Sequence, residues 1–170
     1  MARVLPFDPI AEARRQWVAH WGEEPAASMV AVTSIMRAQQ IMMARLNELL
    51  EPFELTFPRY EALMLLLYSR HGRLPLGKIS DRLQVHRASV TNVVDKLAAS
   101  GYVERVPHGE DRRAVLALIT PAGRAAARRA TRRLNAARFG MEPLGDATCQ
   151  QLFDALTPLR SGAGDYVLGD

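Results

Sequence analysis

The feature that most limits what this chain can fold into is a change of hydrophobic period. Apolar residues recur every three to four positions along most of the sequence, but between residues 102 and 119 the spacing drops to two. Tyr102, Val103 and Val106 lead into the turn-rich Pro107-His108-Gly109-Glu110-Asp111-Arg112, and an apolar, β-branched run from Val115 to Ile119 follows. Two short strands joined by a polar turn read as a β-hairpin. The expected class is therefore mainly α with one small β-hairpin.

The residues just before the hairpin narrow the choice further. Leu76, Ile79 and Leu83 form a stripe on a helix of little more than two turns after Pro75. Val90, Val94 and Leu97 form another on a helix that ends at Ser100-Gly101. Only Gln84-Val85-His86 joins the two. Helix, short connector, helix and hairpin is the order of a winged helix-turn-helix.

Longer helices flank this unit. Asp8-Pro9 pairs a capping residue with proline at the first helical position, and Gly22 closes a helix over 9–21 that aligns Ile10, Trp17 and Trp21. Pro25 opens a long amphipathic helix in which Met29, Val32, Met36, Met43, Leu46 and Leu50 share a stripe until Pro52 forbids continuation. Thr56 caps a third helix over 57 to about 70, whose apolar centre at 62–68 should lie deep in a core. Thr120-Pro121 starts an Ala- and Arg-rich helix to about Phe139, and a last helix near 147–159 presents Leu152, Phe153, Leu156 and Leu159. The layout is N-terminal helices at 1–55, the winged unit at 56–120 and C-terminal helices at 121–170. The flanking helices carry more apolar surface than one small winged unit can cover, which predicts a second copy of the chain as partner. In such a homodimer the two recognition helices meet DNA about one turn apart, roughly 10 bp.

Charge singles out the same middle segment. The net charge is only +4, yet residues 70–133 hold fourteen basic and five acidic groups, while acids outnumber bases on either side. Positive charge confined to one contiguous stretch suits a polyanion, with nucleic acid and anionic lipid as the candidates. The longest apolar run is seven residues, 62–68, against the roughly 20 that a spanning helix needs, and the N-terminus lacks a signal-peptide pattern. The expected setting is the cytoplasm, without membrane contact. Cys149 is the single cysteine and reads as a buried structural thiol, with redox sensing as its alternative role. The histidines at 20, 71, 86 and 108 have no ligand-like spacing, so no metal and no cofactor are expected. No glycine-rich phosphate loop or nucleophile motif points to an enzyme.

In a helix-turn-helix the second helix directs its N-terminal residues at base edges. Here that end is His86-Arg87-Ala88-Ser89-Val90-Thr91-Asn92. With Val90, Val94 and Leu97 turned inward, Arg87, Ser89, Thr91 and Asn92 are left for the surface. Arginine suits guanine, asparagine suits adenine, and the hydroxyls suit bases or phosphates. At the hairpin tip, Asp111 can hold the Arg113 guanidinium extended toward a minor groove, with Arg112 and His108 near phosphates. Taken alone, either set also reads as a solvated surface.

The runs LTFPRYEALMLLLYS, LGKISDRLQVHRASVTNVVDKLAASGYVERV and EDRRAVLALITPAG, spread over Leu55 to Gly123, resemble the MarR family of winged-helix transcriptional regulators. The similarity is carried by several short motifs. These are the Leu-Thr helix start, VTNVVDKL in the second short helix, the GYVER strand entry, the DRR of the wing, and the exit Ile119-Thr120-Pro121-Ala122-Gly123, where isoleucine replaces the usual leucine. The resemblance implies a homodimer built from the terminal helices of both chains, binding a palindromic operator on double-stranded DNA and usually repressing nearby genes. It also implies that Asp111 and Arg113 are the wing pair that reaches the minor groove. An architectural protein that coats DNA without sequence preference or effector would share the basic surface and stands as the alternative.

The segment AEARRQWVAHW resembles the extra first helix of the MarR subgroup that includes urate- and aconitate-responsive regulators. In that subgroup a small anion bound between the dimerisation helices and the reading head changes the spacing of the recognition helices. Val93 stands where the urate-responsive members carry arginine, which argues against urate. Arg105 matches the GYVER arginine and is a candidate link between a pocket and the wing. Trp17, Arg14, Arg15, Arg37 and His71 are further candidates to bound such a cleft, and their charge suits a carboxylate effector.

Overall fold

The computed structural model describes residues 4–108 and 115–166. Its elements run α1 (Pro9–Trp21), α2 (Glu24–Leu50), α3 (Phe57–Tyr68), β1 (Arg73–Pro75), α4 (Leu76–Leu83), α5 (Arg87–Ala99), β2 (Val103–Pro107), β3 (Val115–Ile119), α6 (Pro121–Ala136) and α7 (Asp146–Gly162). The chain forms two compact units, Met1–Arg45 and Leu46–Asp170, with the boundary inside α2.

In the first unit the Asp8 carboxylate accepts the Ile10 N–H at 2.9 Å, and Pro9 needs no partner for a missing N–H, so α1 starts where the sequence placed it. Gly22, at φ +87°, ends the helix with its N–H on the Val18 carbonyl. α1 buries none of its residues. Val32 and Met36, from the stripe expected to be covered along α2, are 59% and 57% exposed; of that stripe, only Leu46 and Leu50 at the far end of the helix are buried. Among the described residues of this unit, nothing covers Val32 or Met36.

The second unit holds the core. Leu46, Leu49 and Leu50 pack with Leu55, Tyr60, Leu63 and Leu66, with Ile79 of α4, with Val90, Val94 and Leu97 of α5, and with Ala127, Ala130 and Leu134 of α6. Fully burying side chains of this size contributes roughly 1.5–3 kcal/mol each. Alanines on the inner face of α6 bring that helix close to α3. Gly123 lies on the same face, where an added Cβ would run into the Tyr102 carbonyl oxygen. Thr120 caps α6 by accepting the Gly123 N–H at 3.0 Å, and its hydroxyl donates to the Gly101 carbonyl at 2.8 Å. One side chain thus joins the start of α6 to the loop after α5.

The hairpin is present, with Val103 opposite Ile119 and Pro107 opposite Val115. A third strand was not foreseen. β1 pairs antiparallel to β3 in the sheet order β1-β3-β2, with Arg73 opposite Leu118 and Pro75 opposite Leu116. Three residues ending in proline have too little length to show a period.

Four further expectations need correction. Thr56 occupies the N-cap of α3 but makes no side-chain capping bond; the Asn47 carboxamide of α2 accepts the Phe57 N–H instead, at 2.8 Å. α3 stops at Tyr68, short of residue 70, and Tyr68 is 76% exposed, because the covered arc of α3 is centred on Ala62, Leu63 and Leu66. α6 stops at Ala136, because Arg138 and Phe139 take left-handed backbone conformations (φ +43° and +53°) that no helix can continue through. Cys149 is half-exposed and lies beside the Arg138 guanidinium, which also pairs with Asp146. The buried thiol read from its place on an apolar helix is not what the fold provides.

Candidate nucleic-acid interface

α4 and α5 are joined by a three-residue turn. α4 ends at Gln84, in the left-handed region at φ +52°, while the Ser80 hydroxyl donates to the Val85 carbonyl at 2.6 Å. The next residue, His86, is the N-cap of α5, and its Nδ1 accepts the Ala88 N–H at 3.2 Å. That bond requires an unprotonated Nδ1, which leaves Nε2–H as the outward donor of the ring.

Val90, Val94 and Leu97 are buried, as their spacing indicated. Apart from Val93, which packs partly against the core, the rest of the first two turns of α5 is turned outward. Arg87, Ser89, Thr91 and Asn92 are all exposed. The Thr91 hydroxyl donates to the Arg87 carbonyl at 3.1 Å and keeps its lone pairs as acceptors. The side chains of Arg87, Ser89 and Asn92 have no hydrogen bond or ion pair among the described residues, so their donors and acceptors are open to a ligand.

Farther along α5, Asp95 pairs with Arg105 of β2. Both side chains are well exposed, so the pair adds little stability; the packing of Val90, Val94 and Leu97 in the core sets how the helix lies against the hairpin. His108 is half-buried just beyond β2. Asp111, Arg112 and Arg113 lie outside the described residues.

All but one of the candidate effector residues have local partners among the described residues. In the first unit Arg14 pairs with Glu23 and Arg15 with Glu12; Trp17 packs on Trp21 with ring centres 6.4 Å apart; and Arg37 donates to the Gln40 side chain at 3.3 Å. In the second unit His71 is exposed after α3, and Arg105 is the residue paired with Asp95.

Sequence reasoning missed a cavity of about 620 Å³ bounded by α3, α4 and α6, with Tyr60, Glu61, Met64, Arg82, Thr131 and Phe139 on its walls. The Thr131 hydroxyl donates to the Ala127 carbonyl at 2.8 Å, so the Tyr60 hydroxyl, 3.0 Å away, is the donor to Thr131. Burial pushes the Glu61 carboxyl above its usual range. The available signal was Glu61 itself, a charged residue directly before the most apolar run in the chain.

A sequence profile of the MarR family matches residues 55–115. The chain is 46% identical to Sco5413, a MarR family transcriptional regulator from Streptomyces coelicolor. That alignment covers 84% of this chain and 99% of the other, with a TM-score of 0.78. A C80S mutant of MarR from E. coli, solved in complex with operator DNA, is 23% identical over 75% of this chain and 91% of its own, with a TM-score of 0.67. CouR from Rhodococcus jostii RHA1, solved bound to p-coumaroyl-CoA, is 24% identical over 79% and 92%, with a TM-score of 0.63. The last two likenesses show a shared fold. The chain spans about half the length of the curated regulators it matches.

Proposed function

This chain belongs to the MarR family of transcriptional regulators, and from that premise we propose that it is a homodimeric repressor that binds a palindromic operator and is released by a small anionic ligand. The observation that carries the reading is the outer face of α5, where Arg87, Ser89 and Asn92 are exposed without side-chain partners above a buried Val90-Val94-Leu97 stripe. In this assignment Arg87 and Asn92 read base edges in the major groove, Ser89, Thr91 and His86 contact bases or phosphates, and Arg113, held by Asp111, enters the minor groove beside Arg112 and His108. Residues 56–120 read DNA, and residues 1–55 and 121–170 build the dimer. The protein acts in the cytoplasm and catalyses nothing. The effector is a carboxylate.

Selection of genomic DNA fragments by the purified protein at physiological salt, followed by sequencing, tests the reading. Enrichment of one or a few palindromes is expected; broad recovery without a motif would favour a non-specific architectural role. Arg113→Ala should lower the salt slope of operator binding by about 1–2 counterions per dimer, since neutralised phosphates set that slope. An unchanged slope would remove Arg113 from the interface. Titrating tricarboxylic and aromatic acids into the DNA-bound protein, with Trp17 and Trp21 fluorescence as the signal, should release the DNA, and no release by any acid would reject the carboxylate class.

A further inference from the structure

The turn of the helix-turn-helix is held from a direction that nothing local requires. Gln84 takes a left-handed conformation, φ +52° and ψ +41°, at the C-terminal end of α4. Glycine adopts that conformation at lower cost than any residue with a side chain, so a glutamine there carries strain that contacts elsewhere must offset. One such contact reaches far along the chain: the Gln84 carboxamide donates to the Asp165 carbonyl at 2.6 Å, across 81 residues of sequence.

Asp165 is itself held in place. Gly164, at φ +75°, closes α7 in a Schellman motif, in which the Asp165 N–H bonds to the Arg160 carbonyl at 3.1 Å and the Gly164 N–H to the Ser161 carbonyl at 3.0 Å. Arg160 Nε then donates to the Asp165 carboxylate at 2.7 Å, and the same guanidinium lies over the Tyr166 ring, 5.3 Å from its centre. These contacts fix the direction of the one carbonyl that receives Gln84.

We propose that Gln84 is a positioning residue for DNA binding, tying the turn between α4 and α5 to the end of α7 so that the placement of α7 sets the placement of the recognition helix. The inference rests on the reading of α5 as the DNA-reading helix. It assigns a role in DNA binding to a residue that touches no base, and it gives the C-terminal helix a route to the reading head within one chain. The tether is short and exposed, so it biases the orientation of α5 without holding the fold together.

The test uses the full-length protein and the operator recovered by genomic selection. Gln84→Gly removes the amide and relieves the left-handed strain, so it should leave the melting temperature equal or higher while weakening operator binding about threefold to tenfold, the effect of one lost hydrogen bond. Gly164→Val forces a β-branched residue into a conformation it avoids and redirects the Asp165 carbonyl, although no atom obstructs the new side chain. It should weaken binding to a similar extent, and the double variant should be no weaker than either single one. Unchanged affinity in Gln84→Gly overturns the proposal. So does unchanged affinity in Gly164→Val, or losses that add, since Gln84 would then act on DNA directly. A wild-type protein that selects no operator would instead defeat the reading beneath it.

Discussion

α5 and α7 are helices of similar length, 13 and 17 residues, that treat their apolar side chains in opposite ways. α5 buries Val90, Val94 and Leu97 completely, while α7 buries nothing and leaves Phe153 and Leu159 58% and 64% exposed. Both show helical periodicity in the sequence. The difference is that the partner surface for α5 lies in the same unit, on α3, α4 and the sheet, whereas α7 presents a stripe that this chain leaves open. Periodicity therefore tells which face of a helix is apolar, and the fold tells whether the covering surface belongs to the same molecule.

The contrast can be broken at either helix. Phe153→Asp places a charge in the open stripe and, if α7 builds the proposed homodimer, should give monomers by analytical ultracentrifugation, with operator affinity falling about a hundredfold or more as the paired half-sites are lost. Wild-type affinity in a monomeric Phe153→Asp would show that α7 plays no part in DNA binding. Leu97→Ala should cost about 2–5 kcal/mol in chemical unfolding, because it opens a cavity in a closed core. Its cost should not depend on protein concentration, while the wild-type melting temperature should rise with concentration as dimers form. Asn92→Ala should leave stability unchanged and cost roughly 1–3 kcal/mol at one operator position in each half-site. Equal loss on every sequence would place Asn92 on the backbone instead.

Two smaller effects sharpen the description of the winged unit. Thr120→Ala removes the α6 cap and should lower stability by about 1 kcal/mol. Glu61→Gln addresses the carboxyl on the cavity wall. Because burial raises its folded-state pKa above the ordinary 4.5, its contribution to stability is complete below that pH and is lost as pH rises through the folded-state value. Glu61→Gln should therefore raise the melting temperature slightly at neutral pH and change it little near pH 4; the same shift at both pH values would contradict burial as the cause.

What was legible in the sequence was local or periodic. Asp8-Pro9 and Thr120-Pro121 marked helix starts because a capping oxygen and a missing N–H act within three residues. The 90-94-97 stripe marked the inward face of α5 and, by subtraction, the exposed face that holds Arg87, Ser89 and Asn92. What was not legible depended on contacts distant in sequence. Asn47 displaces Thr56 as the cap of Phe57 only because α2 passes beside the start of α3. The cavity around Glu61 needs three helices brought together, and the bond from Gln84 to Asp165 leaves no trace in any window of residues. Arg138 and Phe139 show another limit: the left-handed turn that ends α6 is made without glycine at either position, so the usual stop signal is missing.

The three-stranded sheet has two outer strands, and both end in proline: β1 at Pro75 and β2 at Pro107. Neither proline has an N–H to offer, and Arg73, Glu104 and Arg105 put charge along the same borders. A neighbouring molecule therefore finds little on which to add a strand. Two such molecules can therefore lie side by side without their sheets joining edge to edge into a shared ribbon.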